Sequence, residues 1–96
     1  MPAYVIAAVT DAWDQDKLRE YRERNTAVVE AHGGRFIVRG GPHEVLEGDW
    51  NPQRLVIIEF PDMAAARAWH DSDDYAPLIE LRQSASTTDI VVIEGL

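Results

Sequence analysis

The stretch Trp69-His70-Asp71-Ser72-Asp73-Asp74-Tyr75 sets a histidine, a serine and three aspartates in five consecutive positions. These are the residue types of a Ser-His-Asp triad or of an oxygen-ligand metal loop. A triad needs its members brought together by the fold, and neighbours at a helix end point in diverging directions. A calcium loop needs glycine at its sixth position and glutamate at its twelfth. Counted from Asp71, those positions hold Ala76 and Arg82. The spacing instead fits the end of one helix and the start of another, with Ser72 capping a new turn and Pro77 opening the next segment.

Other polar residues offer chemistry on apolar faces. Arg82 adjoins the Leu78, Leu81, Ala85 stripe, and Tyr75 lies just before the helix restarts. Turned inward, they would anchor a carboxylate or phenolate. Alternatively, Arg82 satisfies a carboxylate or helix-end carbonyls of its own chain. Tyr21 and Asn25 fall on the buried stripe of the first helix, where Asn25 either caps a neighbouring strand or lines a pocket between helices and sheet. His32, beside Gly33-Gly34, reads as a helix-terminal cap or cation. Glu59 shares a parity with Leu55 and Ile57, and Arg35 and Arg39 share one with Ile37. With Arg39 opposite Leu55, antiparallel register sets Arg35 opposite Glu59 as a cross-strand pair. The functional alternative makes Glu59 a general base in a cleft. Finally, Pro2 freed of Met1 would be a secondary amine of the kind tautomerases use, with Arg35 and Arg39 as partners. The chain length and two-helix pattern fit that poorly.

The elements that must hold these residues follow from periodicity. Ala3 to Thr10 is apolar on both parities, as in a strand buried on both faces. Leu18, Tyr21, Asn25, Val28, Val29 and His32 then form one helical stripe, with Asp11 or Asp14 as the start and Gly33-Gly34 as the stop. Arg35 to Gly41 is a second strand, and a turn-rich insert follows with a short extended piece at Val45-Leu46. Arg54 to Phe60 is a third strand. Asp62 caps a helix through Asp71, a further turn or two covers Leu78 to about Ala85, and Asp89 to Leu96 closes as a fourth strand. Strand, helix, strand, strand, helix, strand is the ferredoxin-like split βαβ order of an α+β domain, a four-stranded antiparallel sheet with helices on one face.

Helices on one face leave the other bare, yet the strands are apolar on both parities. Such a face exceeds what soluble monomers usually expose. The expected cover is a second copy related by a two-fold axis, giving a homodimer through the sheet face, a dimeric α/β barrel. The insert Pro42 to Trp50 reads as an edge arm reaching toward the partner or as a plain surface loop.

Composition narrows the classes. The 96 residues suit a single domain over 1–96. No cysteine means no disulfide, zinc–thiolate site or thiol nucleophile. A net charge of −8, with one lysine and eight scattered arginines, argues against nucleic acid and anionic membrane. The first apolar run is too short for a signal core or a membrane span, so a cytoplasmic location is expected.

The segments AYVIAAV, GGRFIVRGG, LEGDWNPQRLVIIEFPDMAAARAW, SDDYAPLIELR and VVIEG, in this order, resemble the domain of unknown function 1330 family across almost the whole chain. The resemblance implies the dimeric α/β-barrel superfamily. Its relatives include cofactor-free monooxygenases, isomerases and haem-handling enzymes, and fold-level likeness transfers no mechanism. Arg39, Glu59, Trp69, Tyr75 and Arg82 match as pattern residues. Pro77 departs from the pattern and is expected to shorten the last helix. No histidine sits inward with room for haem, so no cofactor and no metal is expected. The combined reading is a small homodimer holding an aromatic or carboxylated molecule in a cleft of Tyr21, Asn25, Trp69, Tyr75 and Arg82, with Arg39 and Glu59 as further polar groups. A cofactor-free enzyme using Glu59 and Arg82 and a non-catalytic interaction dimer remain open beside it.

Overall fold

In the computed structural model, which describes residues 1–96, the chain runs β1 (Ala3–Ala12), α1 (Gln15–Ala31), β2 (Arg35–Arg39), β3 (Arg54–Phe60), α2 (Met63–Asp71), α3 (Ala76–Gln83) and β4 (Ser86–Glu94). The strands form one antiparallel sheet in the order β2-β3-β1-β4, the ferredoxin-like arrangement. None of the helices is long and apolar enough to cross a membrane.

Local chemistry sets the boundaries. Asp14 caps α1 by accepting from the Lys17 amide at 3.1 Å. Gly33, at φ +79°, ends α1 in a left-handed turn that a side chain would resist. Asp62 caps α2 through the Ala65 amide at 2.8 Å. Ser72 accepts from the Tyr75 amide at 3.2 Å and donates to the Trp69 carbonyl at 2.9 Å, so the His70 to Asp74 run is a helix junction. Pro77 sits in the first turn of α3, where its missing N–H costs nothing, and the helix still runs eight residues.

Three expectations change. Val45-Leu46 forms no strand and lies in an exposed loop that also carries Trp50. β4 begins at Ser86 rather than Asp89, because β1 continues past a bulge at Val9–Asp11 to pair with it. A second irregularity, between Phe36 and Val38, puts Arg39 opposite Val56 instead of Leu55. An extra residue in one strand reverses which way the following side chains point.

The helix-facing side of the sheet carries Val5, Ile58 and Phe60, packed with Val29, Ala66, Trp69, Tyr75 and Leu78 into one buried cluster. Gly34 sits against this core: a Cβ there would come 2.6 Å from Phe60 Cε1 and 2.8 Å from Val29 Cγ1. Gly34→Ala is therefore expected to cost about 1–3 kcal/mol by overpacking. Thermal melting should register that as a Tm lower by about 10 °C in a chain of this size. An unchanged Tm would mean that Phe60 yields freely.

The opposite side of the sheet carries Tyr4, Ile6, Leu55, Ile57, Val38, Val91 and Ile93 by register. No helix covers it. Val91 and Ile93 are 57% and 56% exposed, whereas their neighbours Ile90 and Val92 pack against the core.

Candidate functional site

Between α1, α3 and the sheet lies a cavity of about 300 Å³, at the small end of the range for ligand sites. Its floor is Val5, Ala7, Val56, Ile58 and Ile90, and α1 contributes Leu18, Tyr21, Arg22 and Asn25. Arg39, Arg54, Trp69 and Arg82 complete the polar and aromatic lining. The alternation along the strands puts the floor residues inward, and the 3.6-residue period of α1 brings Leu18, Tyr21, Arg22 and Asn25 onto one side.

At the inner end, Arg82 is buried, only 6% exposed. Its Nε is enclosed without a hydrogen-bond partner, and every ion pair in the chain lies elsewhere. The internal carboxylate or carbonyl partner expected for Arg82 is absent. An enclosed polar atom left unpaired costs about 1–3 kcal/mol, so its retention calls for an explanation.

Around Arg82 the polar groups form a chain. The Trp69 indole donates to Asn25 Oδ1 at 3.2 Å, and Asn25 Nδ2 donates to the Tyr21 hydroxyl at 3.5 Å, a weak contact. Tyr21 and Tyr75 hydroxyls lie 2.7 Å apart. Asn25 therefore secures a tryptophan across the core and caps no strand. Tyr75 is fully buried behind Tyr21, stacked on Trp69 with ring centroids 4.3 Å apart, and does not reach the cavity surface. Either hydroxyl can donate in this pair. With Tyr75 as the donor, the Tyr21 proton is left for whatever occupies the cavity. Burial, reinforced by Tyr75, pushes the Tyr21 phenol far above the usual tyrosine range, while nearby Arg82 pulls it down. Tyr21 is a donor and not a base.

The outer end holds Arg22, Arg39 and Arg54. Arg39 lies over the Phe36 ring at 3.9 Å and donates to the Arg22 carbonyl and to Thr26 Oγ1. Arg54 donates weakly to the Arg39 carbonyl. Burial first, then the charges of Arg22 and Arg39, lowers the proton affinity of the Arg54 guanidinium. Arg54 packs across Gly40, at φ +75°, where a Cβ would collide with the guanidinium.

Glu59 is not part of this site. It sits on the bare face of the sheet, opposite Tyr4, and pairs with Arg35 at 2.9 Å. The cross-strand reading of that pair matches the structure, and the general-base reading with Arg82 fails because the sheet separates them. Pro2 also lies outside the cavity, its carbonyl accepting from the Gly95 amide at 2.7 Å. His32 closes the end of α1 through the Val28 carbonyl. Of the arginines imagined beside Pro2, Arg35 is on the bare face and Arg39 is in the cavity.

Two cavity residues escaped the sequence reading. Arg54 shares the inward parity of Val56 and Ile58, and Arg22 lies one turn past Leu18, so both were readable from periodicity. Arg39 was assigned the parity of Arg35, and the β2 bulge moves it to the other side.

A two-layer ferredoxin-like chain with an arginine-lined cavity between its helices and sheet is the class that fold and site define. Among curated proteins, none matches the sequence. Residues 2–96 match the domain of unknown function DUF1330, and the chain belongs to that family. Solved structures share the fold at low identity. A protein of unknown function from Rhodopseudomonas palustris aligns with a TM-score of 0.80 at 20% identity, over 99% of this chain and 82% of the other. A dimeric ferredoxin-like protein of unknown function from Jannaschia sp. CCS1 gives 0.76 at 15%, over 99% and 100%. SnoaB, a cofactor-independent oxygenase from Streptomyces nogalater, gives 0.71 at 15%, over 99% and 93%.

Proposed function

We propose that the chain binds a small carboxylate or phenolate with an apolar, aromatic-sized body in the cavity, and does so as a homodimer. One observation carries this reading. The cavity lining contains four arginines and no acidic residue, in a chain with 17 acidic residues, and the innermost arginine has an enclosed Nε with no partner. An anion seated there would pair the Arg82 guanidinium and accept the Tyr21 proton, both charge-assisted and shielded from water. Trp69 and the aliphatic floor suit a flat apolar body.

The resemblance to SnoaB favours a second reading, oxygenase chemistry without a cofactor. Against it, no histidine, lysine, aspartate or glutamate lines the cavity, and Tyr21 holds its proton tightly, so the site has no general base. Binding without proton abstraction fits these residues better.

Two-fold pairing through the bare sheet face is supported by its apolar residues and by the dimeric Jannaschia relative. The loop with exposed Leu46 and Trp50 would serve as an arm onto the second copy. A cytoplasmic setting is part of this proposal.

Isothermal titration with benzoate and with benzamide, which differ in charge and little in shape, tests the binding. Benzoate is expected to bind at least about tenfold more tightly, a difference of about 1.4 kcal/mol. Equal affinities, or no binding of either, would overturn the proposal.

A further inference from the structure

The eight arginines are not used alike. Arg19, Arg24 and Arg35 are in ion pairs. Arg22, Arg39, Arg54 and Arg82, the four that reach the cavity, have no carboxylate partner, and the eighth, Arg67, is unpaired on the exposed side of α2. They also fall into two groups. Arg82 is buried on α3, which packs on α1 and on β4 at one edge of the sheet. Arg39 and Arg54 belong to β2 and β3 at the other edge, with the half-buried Arg22 above them on α1. β3 and β4 are two strand spacings apart, about 10 Å. The ground between them is the apolar floor of Val5, Ala7 and Val56.

Building on the anion-binding reading, we infer that the cavity is made for a dianion: a flat apolar body with one anionic group held by Arg82 and Tyr21 and a second held by Arg22, Arg39 and Arg54. A monoanion would satisfy the inner end and leave three like charges facing one another at the outer end. The lowered proton affinity of Arg54, caused in part by Arg22 and Arg39, is the sign of that uncompensated repulsion. Gly40 belongs to the same arrangement, because its missing side chain is what lets the Arg54 guanidinium lie against β2.

The probes are terephthalate and its monomethyl ester, which share a ring and one carboxylate and differ in the second charge. Titrated into the full chain at low ionic strength, terephthalate is expected to bind at least about tenfold more tightly than the ester. Arg54→Gln, at a half-buried position, should bring that ratio down to about two while leaving the circular dichroism spectrum unchanged. Added salt should reduce the ratio in the wild-type protein as well, a second readout that needs no variant. If the ester binds and the diacid binds no better, the two-ended site is wrong while anion binding stands. If neither binds, anion binding itself is wrong. A preference for the diacid that survives Arg54→Gln unchanged would also overturn the outer subsite.

Discussion

Arg82→Met should give a protein that melts higher than the wild type and binds benzoate at least about thirtyfold more weakly. The two effects have one origin. In the free chain Arg82 is only 6% exposed, its Nε is unpaired and no carboxylate pairs with it. Methionine keeps an unbranched apolar stem of similar reach and removes the unsatisfied donor and the buried charge. The gain is about 1–2 kcal/mol, or roughly 4–8 °C of Tm per kcal/mol in a domain of this length. Melting must be compared at equal protomer concentration, since pairing itself raises Tm. In the bound state the same change leaves a buried carboxylate facing a thioether. Removing one partner of a buried charged contact costs about 2–5 kcal/mol, which is roughly 30- to several-thousandfold in affinity. A variant that melts lower and still binds benzoate would show that Arg82 holds the fold and not a ligand.

Ile6→Lys is expected to turn the proposed dimer into a folded monomer. Ile6 lies on the central strand β1, on the bare face, flanked by Ile57 on β3 and Val91 on β4. It is the middle of the surface assigned to pairing, and two-fold symmetry puts the substitution into the interface twice. Each buried, unpaired ammonium costs several kcal/mol, so association should weaken at least about a thousandfold. In the isolated chain the lysine can reach water along the uncovered sheet, so circular dichroism should retain the wild-type spectrum. Sedimentation at micromolar concentration reads the outcome. A wild-type chain that sediments as a monomer, or a lysine variant that still pairs, would reject the sheet-to-sheet dimer.

Most of the fold was readable from local rules. The two-parity apolar strands gave the sheet its bare face, and Asp14, Gly33 and Asp62 marked helix ends where capping chemistry requires them. The Arg35–Glu59 pair followed from register arithmetic even though Arg39 landed one residue away from its expected partner. The site was less readable for two reasons. Asn25 meets Trp69, 44 residues further along, and no spacing rule reports which of several buried partners an amide takes. Glu59 and Arg39 were placed by strict alternation, which holds for Glu59 on the bare face and fails for Arg39 after the irregularity in β2. Tyr75 was grouped correctly with Tyr21, yet its ring stands behind the cavity wall because α3 restarts one residue later and tucks it under α1.

The irregularity at Phe36–Val38 has a genetic corollary. It lets an edge strand of five residues send Arg35 to one side of the molecule and Arg39 to the other. A substitution that straightened the strand with Ile37 retained would restore strict alternation and swing Arg39 across the sheet. That one change would take a charge out of the cavity and plant it among Ile57 and its oily neighbours. On the proposed binding and pairing, recognition and self-association would be yoked at one position, and a lineage that changed its cargo there would have to renegotiate its partnership too.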